Sequence, residues 1–131
     1  MIVVDASVLA NALVYADDRG RGAREALERD AEWAAPEHWQ VEVFSVVRGL
    51  ALGKKISDDL ARRTVTRLSQ LGVDHVPVDL LLPRMWQLRF GISAYDAAYV
   101  ALAEARDLTL VTSDGRLAKA ATPFCAVHLV G

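Results

Sequence analysis

Ile2-Val3-Val4-Asp5-Ala6-Ser7 and Leu108-Thr109-Leu110-Val111-Thr112-Ser113-Asp114 decide the fold. Each carries a short apolar run followed by an aspartate and a hydroxyl residue. Such runs, too short for helices, read as strands buried on both faces. The sequence predicts strands at Ile2 to Val4, Asp74 to Val78, Leu108 to Val111 and Ala126 to Val130. Between them lie helical patterns at Ser7 to Tyr15, Ala23 to Trp33, Pro36 to Leu52, Ser57 to Leu71, Leu81 to Phe90, Ser93 to Arg106 and Arg116 to Ala121. Pro36 suits a first helical turn and Gly53 a helix stop. Asp17 to Gly22, broken by two glycines, reads as a loop. Short apolar strands alternating with helices imply an α/β sandwich with a mainly parallel, doubly covered sheet of four or five strands. Ligands of such folds bind beyond the carboxyl ends of the strands.

The chain has 131 residues, which suits one domain spanning 1–131. Apolar residues make up 53%, enough for a substantial core and enough to leave apolar surface for a partner. One cysteine, Cys125, excludes an intrachain disulfide. No apolar run approaches the roughly 20 residues of a membrane helix, and no secretory leader pattern is visible. A cytoplasmic protein is expected. Net charge is −2, so any nucleic-acid binding must use a local basic patch rather than the overall field.

Four acids stand out by position. Asp5 and Asp114 follow strands, where each is equally suited to capping the next helix. Asp96 sits in Ser93-Ala94-Tyr95-Asp96, a capping-box pattern, yet the helix after it is apolar on most sides. Its carboxylate is therefore expected to face a crevice. Glu42 lies in a helix rich in Trp39, Val41, Val43, Phe44, Val46, Val47, Leu50 and Leu52. His38, Glu42, Ser45 and Gly49 form a narrow polar stripe on it. A carboxylate on a largely buried helix must be paired or bind metal; Arg48 is the alternative partner. His38 and Glu42 have the spacing of two ligands of a transition metal, but no further histidine joins them, so His38 reads as a rim or packing residue. Four converging carboxylates repel one another unless protons or a hard cation intervene. An all-oxygen donor set favours magnesium or manganese over zinc. The matching chemistry is metal-assisted phosphodiester hydrolysis, by one ion or two roughly 4 Å apart.

These motifs resemble those of the PIN-domain ribonucleases, in particular the VapC-type toxins of type II toxin–antitoxin pairs. The carriers are Val3-Val4-Asp5-Ala6-Ser7, Pro36-Glu37-His38-Trp39-Gln40-Val41-Glu42-Val43, Ser93-Ala94-Tyr95-Asp96-Ala97-Ala98-Tyr99-Val100-Ala101-Leu102-Ala103 and Leu110-Val111-Thr112-Ser113-Asp114-Gly115-Arg116-Leu117, in this order along nearly the whole chain. The resemblance implies a PIN-like three-layer sandwich. It implies catalytic and metal-binding roles for Asp5, Glu42, Asp96 and Asp114, with Ser7 and Thr112 supporting the site. It further implies Mg2+ or Mn2+ as cofactor, cleavage of transfer or ribosomal RNA, a cognate antitoxin as partner, and a homodimer. Arg116, beside the last acid, is the first candidate for RNA binding, followed by Arg19 and Arg21, then Arg24, Lys54 and Lys55. A groove between the helices at Ala23 to Trp33 and Trp39 to Leu52 is the expected antitoxin seat.

Two other readings share these features. A receiver-type signalling domain has the same length and class, but needs an acidic pair at the first strand and a late strand-end lysine. Asp5 stands alone, and Lys119 lacks that setting. A PIN-fold module that only binds RNA or protein would share the fold and lack cleavage.

Overall fold

The computed structural model describes residues 1–131. Its elements run β1 (Ile2–Val4), α1 (Ala6–Val14), α2 (Asp18–Glu28), β2 (Trp33–Pro36), α3 (Trp39–Leu52), α4 (Asp58–Leu68), β3 (Val73–Val76), a 3-10 turn at Val78–Leu80, α5 (Leu82–Gln87), α6 (Ala94–Arg106), β4 (Leu110–Thr112), α7 (Gly115–Ala121) and β5 (Val127–Leu129). The sheet has five strands in the order β3-β2-β1-β4-β5, all parallel. The expected parallel α/β sandwich is thus borne out. Right-handed crossovers put α1 to α4 on one face and α5 to α7 on the other. The chain steps from β1 outward to β3, then returns across the sheet to β4. The order therefore reverses between β1 and β4, and sheets of this kind bind ligands beyond the carboxyl ends at such a point.

Three expectations are corrected. Trp33-Ala34-Ala35-Pro36 is a strand, β2, and neither a helix end nor a helix start. Ala34 and Ala35 are fully buried, small enough to sit beneath packed helices. Pro36 is tolerated there because β1 pairs only as far as Ala34, so the missing N–H breaks no bond to that neighbour.

Asp17 to Gly22 is the start of α2, not a loop. Asp17 is its N-cap, accepting from the Arg19 backbone N–H at 3.0 Å. Gly20 is required for a close approach: a Cβ there would lie 1.7 Å from the Tyr15 carbonyl oxygen. Arg24 completes the joint, its Nη1 donating to the carbonyls of Ala12 (3.0 Å) and Tyr15 (2.9 Å). These otherwise orphaned acceptors at the end of α1 are satisfied by a side chain one helix away.

The third correction concerns α3. Only Trp39, Val43 and Val47 are buried on it, while Val41, Phe44, Val46 and Leu52 are exposed. The helix packs on α1 and α4 along one side and offers an apolar second side to solvent. In contrast, α6 is buried continuously from Ala97 to Ala103. Small alanines let it lie close against β1 and β2. Its N-terminus, with Asp96, emerges at the same edge as the carboxyl ends of the strands.

Candidate metal centre

Asp5 occupies the N-cap position of α1, but its side chain caps nothing. Its Oδ2 instead accepts from Ser7 Oγ at 2.6 Å and from Thr112 Oγ1 at 2.8 Å. Each of those hydroxyls accepts a backbone N–H in turn. Ser113 N donates to Ser7 Oγ at 3.0 Å, and Asp114 N donates to Thr112 Oγ1 at 3.0 Å. Two parallel relays therefore run from the turn after β4 to one oxygen of the acid after β1. Ser7 and Thr112 thus both commit their protons to Asp5.

The other acids approach from the remaining elements. Asp114 caps α7, its Oδ1 accepting from the N–H groups of Arg116 (2.9 Å) and Leu117 (3.3 Å). The capping reading of Asp114 is met there. Asp96 sits in the first turn of α6, where Ser93 Oγ accepts its N–H at 3.3 Å. Glu42 projects from α3 and makes no contact with Arg48. Its Oε1 accepts from the Tyr99 hydroxyl at 2.8 Å. His38 Nε2 lies 3.0 Å from the same oxygen, but at an angle outside hydrogen bonding, so it stays buried without a partner.

Electrostatics ties the four together. Burial raises the Asp5 carboxyl above its usual range despite the two hydroxyl donors. Burial raises Asp96 first, and the charges of Asp5 and Asp114 push it further up, while Arg116 pulls it down. Glu42 is lifted to about 7, chiefly by burial and then by the charges of Asp5 and Asp96, against the opposing hydrogen bond from Tyr99. Burial lowers His38, so the His38–Glu42 contact is not a pair of full charges. This is a partly dehydrated pocket of like charges without an internal lysine or arginine to neutralise it.

The donor set fits a hard divalent ion, being all carboxylate and hydroxyl, with imidazole only at the rim. As placed, no three of the acidic or imidazole groups stand close enough together to hold an ion between them. An open acidic pocket suits magnesium, which keeps several of its own waters.

The sequence singles out the four acids and two hydroxyls, but not Tyr99, which bonds Glu42. The signal available was one hydroxyl-bearing side chain inside an otherwise apolar, seven-residue buried run. Arg116 is exposed, and its charge reaches Asp96. Arg19 and Arg21 lie on α2 and are already paired, Arg19 with Asp17 at 2.8 Å and Arg21 with Asp18 at 2.9 Å. Arg19 also stacks on Tyr15, with 3.7 Å from guanidinium to ring centroid. None of the shifts in the acidic group traces to either arginine.

Comparison with known proteins gives the family. The family model described as PIN domain matches residues 2–123. Ribonuclease VapC9 of Mycobacterium tuberculosis is 36% identical over 130 residues, covering 99% of this chain and 98% of that protein. Ribonuclease VapC1 of the same organism is 36% identical over 133 residues, covering 98% and 96%. Among solved structures, M. tuberculosis VapC20, described as a sarcin-ricin loop cleaving toxin, aligns with a TM-score of 0.70 at 18% identity over 92% of this chain and 95% of that one. FitAcB of Neisseria gonorrhoeae aligns with a TM-score of 0.71 at 20% identity over 97% and 96%. At such identities the structures speak for the fold, while the full-length sequence relatives speak for kinship. With the family match over residues 2–123 and 36% identity along nearly the whole of VapC9, the chain belongs to the PIN-domain family, in its VapC-type ribonuclease branch.

Proposed function

We propose that this chain, acting as one unit over residues 1–131, is a Mg2+- or Mn2+-dependent endoribonuclease and the toxin of a toxin–antitoxin pair in the cytoplasm. What supports the reading is the charge coupling among Asp5, Glu42, Asp96 and Asp114, with Glu42 lifted to about 7 by burial and by the charges of Asp5 and Asp96. These four residues would hold the metal, which, when bound, supplies an activated water and positive charge at the scissile phosphate. The protein's own contribution is to fix the acids before the ion arrives: Ser7 and Thr112 hold Asp5, and the α7 cap holds Asp114. Arg116 supplies a cation on the rim for substrate phosphate. Structured transfer or ribosomal RNA is the proposed substrate, in line with the ribosomal loop named for VapC20.

Two further surfaces support the partner assignments. An apolar groove of about 230 Å³ is lined by Leu9, Leu13, Leu27, Trp33 and Leu71, flanked by Arg24, Glu28 and Arg67. It suits an amphipathic antitoxin segment. It runs between α1, α2 and α4, rather than between α2 and α3 as the sequence suggested. Separately, Val41, Phe44 and Val46 on α3, Trp86 on α5 and Phe90 after it are exposed apolar side chains suited to burial in a homodimer.

The test is cleavage of total RNA by the purified chain with chelator, then with Mg2+ or Mn2+ restored, followed by mapping of the new RNA ends. Cuts that appear only with metal and at defined loops support the reading. Undiminished cleavage in excess chelator overturns the metal dependence. No cleavage under any condition favours a module that only binds RNA or protein.

A further inference from the structure

Tyr99 is fully buried within α6, three residues after Asp96. Its neighbours in the buried run are Ala97, Ala98, Val100, Ala101, Leu102 and Ala103, so its hydroxyl is that segment's one polar side-chain group. A buried phenol needs a hydrogen-bond partner, and phenylalanine would fill the same space without that requirement. The partner here is neither a main-chain carbonyl nor a neighbour on the same helix. It is Glu42 Oε1, 57 residues away on α3, at 2.8 Å.

The second oxygen, Oε2, accepts no hydrogen bond from any protein group. The His38 ring closes the clamp. Its centroid stands 5.5 Å from that of Tyr99 in an edge-on arrangement and 5.4 Å from that of Tyr95. This leaves Nε2 against the same Oε1 at 3.0 Å. Glutamate is the longest and most flexible of the four acids, and Glu42 stands in the first turn of α3. Asp5 is held by Ser7 and by Thr112 across the sheet, and Asp114 by its cap on α7. Glu42 is fixed by a side chain from a different helix.

We infer that Tyr99 is a positioning residue: it tethers one carboxylate oxygen of Glu42 so that the other is presented, in a fixed orientation, to a divalent cation shared with Asp96. This rests on the metal-dependent reading above. It assigns Tyr99 no contact with metal or RNA. Groups that orient metal ligands in this way typically change metal affinity when removed.

The experiment is Mn2+ titration by calorimetry on the full chain as wild type, Tyr99→Phe, Glu42→Gln and the double variant. Cooperative unfolding of each metal-free protein is measured alongside. Tyr99→Phe is expected to weaken Mn2+ binding by about 10-fold or more while the fold is retained. In the Glu42→Gln background the same change is expected to have no further effect. Equal Mn2+ affinity of wild type and Tyr99→Phe would overturn the inference. So would an equal loss in both backgrounds, since Tyr99 would then not act through Glu42. A second measurement needs no metal: carbon relaxation at the Glu42 γ-methylene is expected to report a rigid side chain in wild type and a mobile one in Tyr99→Phe. An equally ordered Glu42 in both refutes the tether. If the wild type binds no Mn2+, the metal reading fails, and the relaxation result still decides whether Tyr99 holds Glu42.

Discussion

Thr112 Oγ1, at the end of β4, donates to Asp5 Oδ2, just beyond the end of β1, at 2.8 Å across a sequence gap of 107 residues. The bond is buried at both ends and crosses the point where the strand order reverses. It joins the two halves of the sheet at the site itself. Thr112→Val keeps the shape and removes the donor. The variant is expected to lose about 1–2 kcal/mol of stability, since Asp5 loses one of its two hydroxyl donors and the Asp114 N–H loses its acceptor. The Asp5 carboxyl should rise further, weakening metal binding at neutral pH. Thr112→Ser should restore both. Denaturant midpoints and Mn2+ titration read the two effects, and a wild-type midpoint for Thr112→Val would remove the relay from the account.

Stability of the metal-free protein should depend on pH with a definite sign. Glu42 holds its proton up to about 7 in the native state, against about 4.3 for a free glutamate. Between those values the native state carries more bound proton than the unfolded chain, so stability falls as pH rises through the window. The raised Asp5 and Asp96 act in the same direction. In excess chelator the melting temperature should be higher at pH 5 than at pH 8, the difference corresponding to roughly 1–3 kcal/mol after allowing for solvent at the half-buried Glu42. Metal affinity should run the opposite way and increase with pH, because the ion must displace these protons. A metal-free melting temperature that climbs steadily from pH 5 to pH 8 would contradict the buried acidic pocket.

Asp96→Asn should abolish cleavage and leave the chelated protein at least as stable as wild type. The amide keeps the size of the side chain, and the Ser93 cap on the backbone is untouched. It removes a charge that Asp5 and Asp114 repel. RNA-end mapping and thermal melting check the two halves separately. Near-normal turnover would reduce Asp96 to a residue of the helix start.

How much of this was legible from the chain depends on what each residue's surroundings demand. Asp5 and Asp114 were legible because an acid after a buried strand has a place fixed by topology alone. Asp96 was legible because its helix is apolar on every other side. β2 was not, since Ala34, Ala35 and Pro36 carry none of the branched or aromatic side chains that mark a strand. Gly20 misled because a glycine required for close packing looks like a glycine required for a turn. On α3, Val41, Phe44 and Val46 were read as core, and periodicity gives no means of telling a core face from a face kept for another chain. The Tyr99–Glu42 bond joins two helices distant in sequence, and local pattern carries no information about such a pair.

For RNA, Arg116→Ala should weaken binding without altering Mn2+ affinity. Measured on the Asp96→Asn background across a salt series, the log–log slope should fall by about 0.7 for the lost phosphate contact. Replacing Arg19 and Arg21 together should matter less. Both arginines already face Asp17 and Asp18 at the start of α2, and are not free cations on a mobile loop. An unchanged slope for Arg116→Ala would place the basic rim elsewhere.

The strand order carries a consequence for the timing of synthesis. β1 is made before the other strands, yet one of its two neighbours, β4, is made only after β2, β3 and α6. Until residues 110–114 are available, Asp5 lacks the Thr112 donor, and β1 has an open edge on that side. A chain released early, ending at Asp107, would carry Asp5, Glu42 and Asp96 but no assembled site, and should leave RNA intact in the same cleavage assay. The Asp5 hydrogen-bond relay therefore cannot close until residues 110–114 have been made.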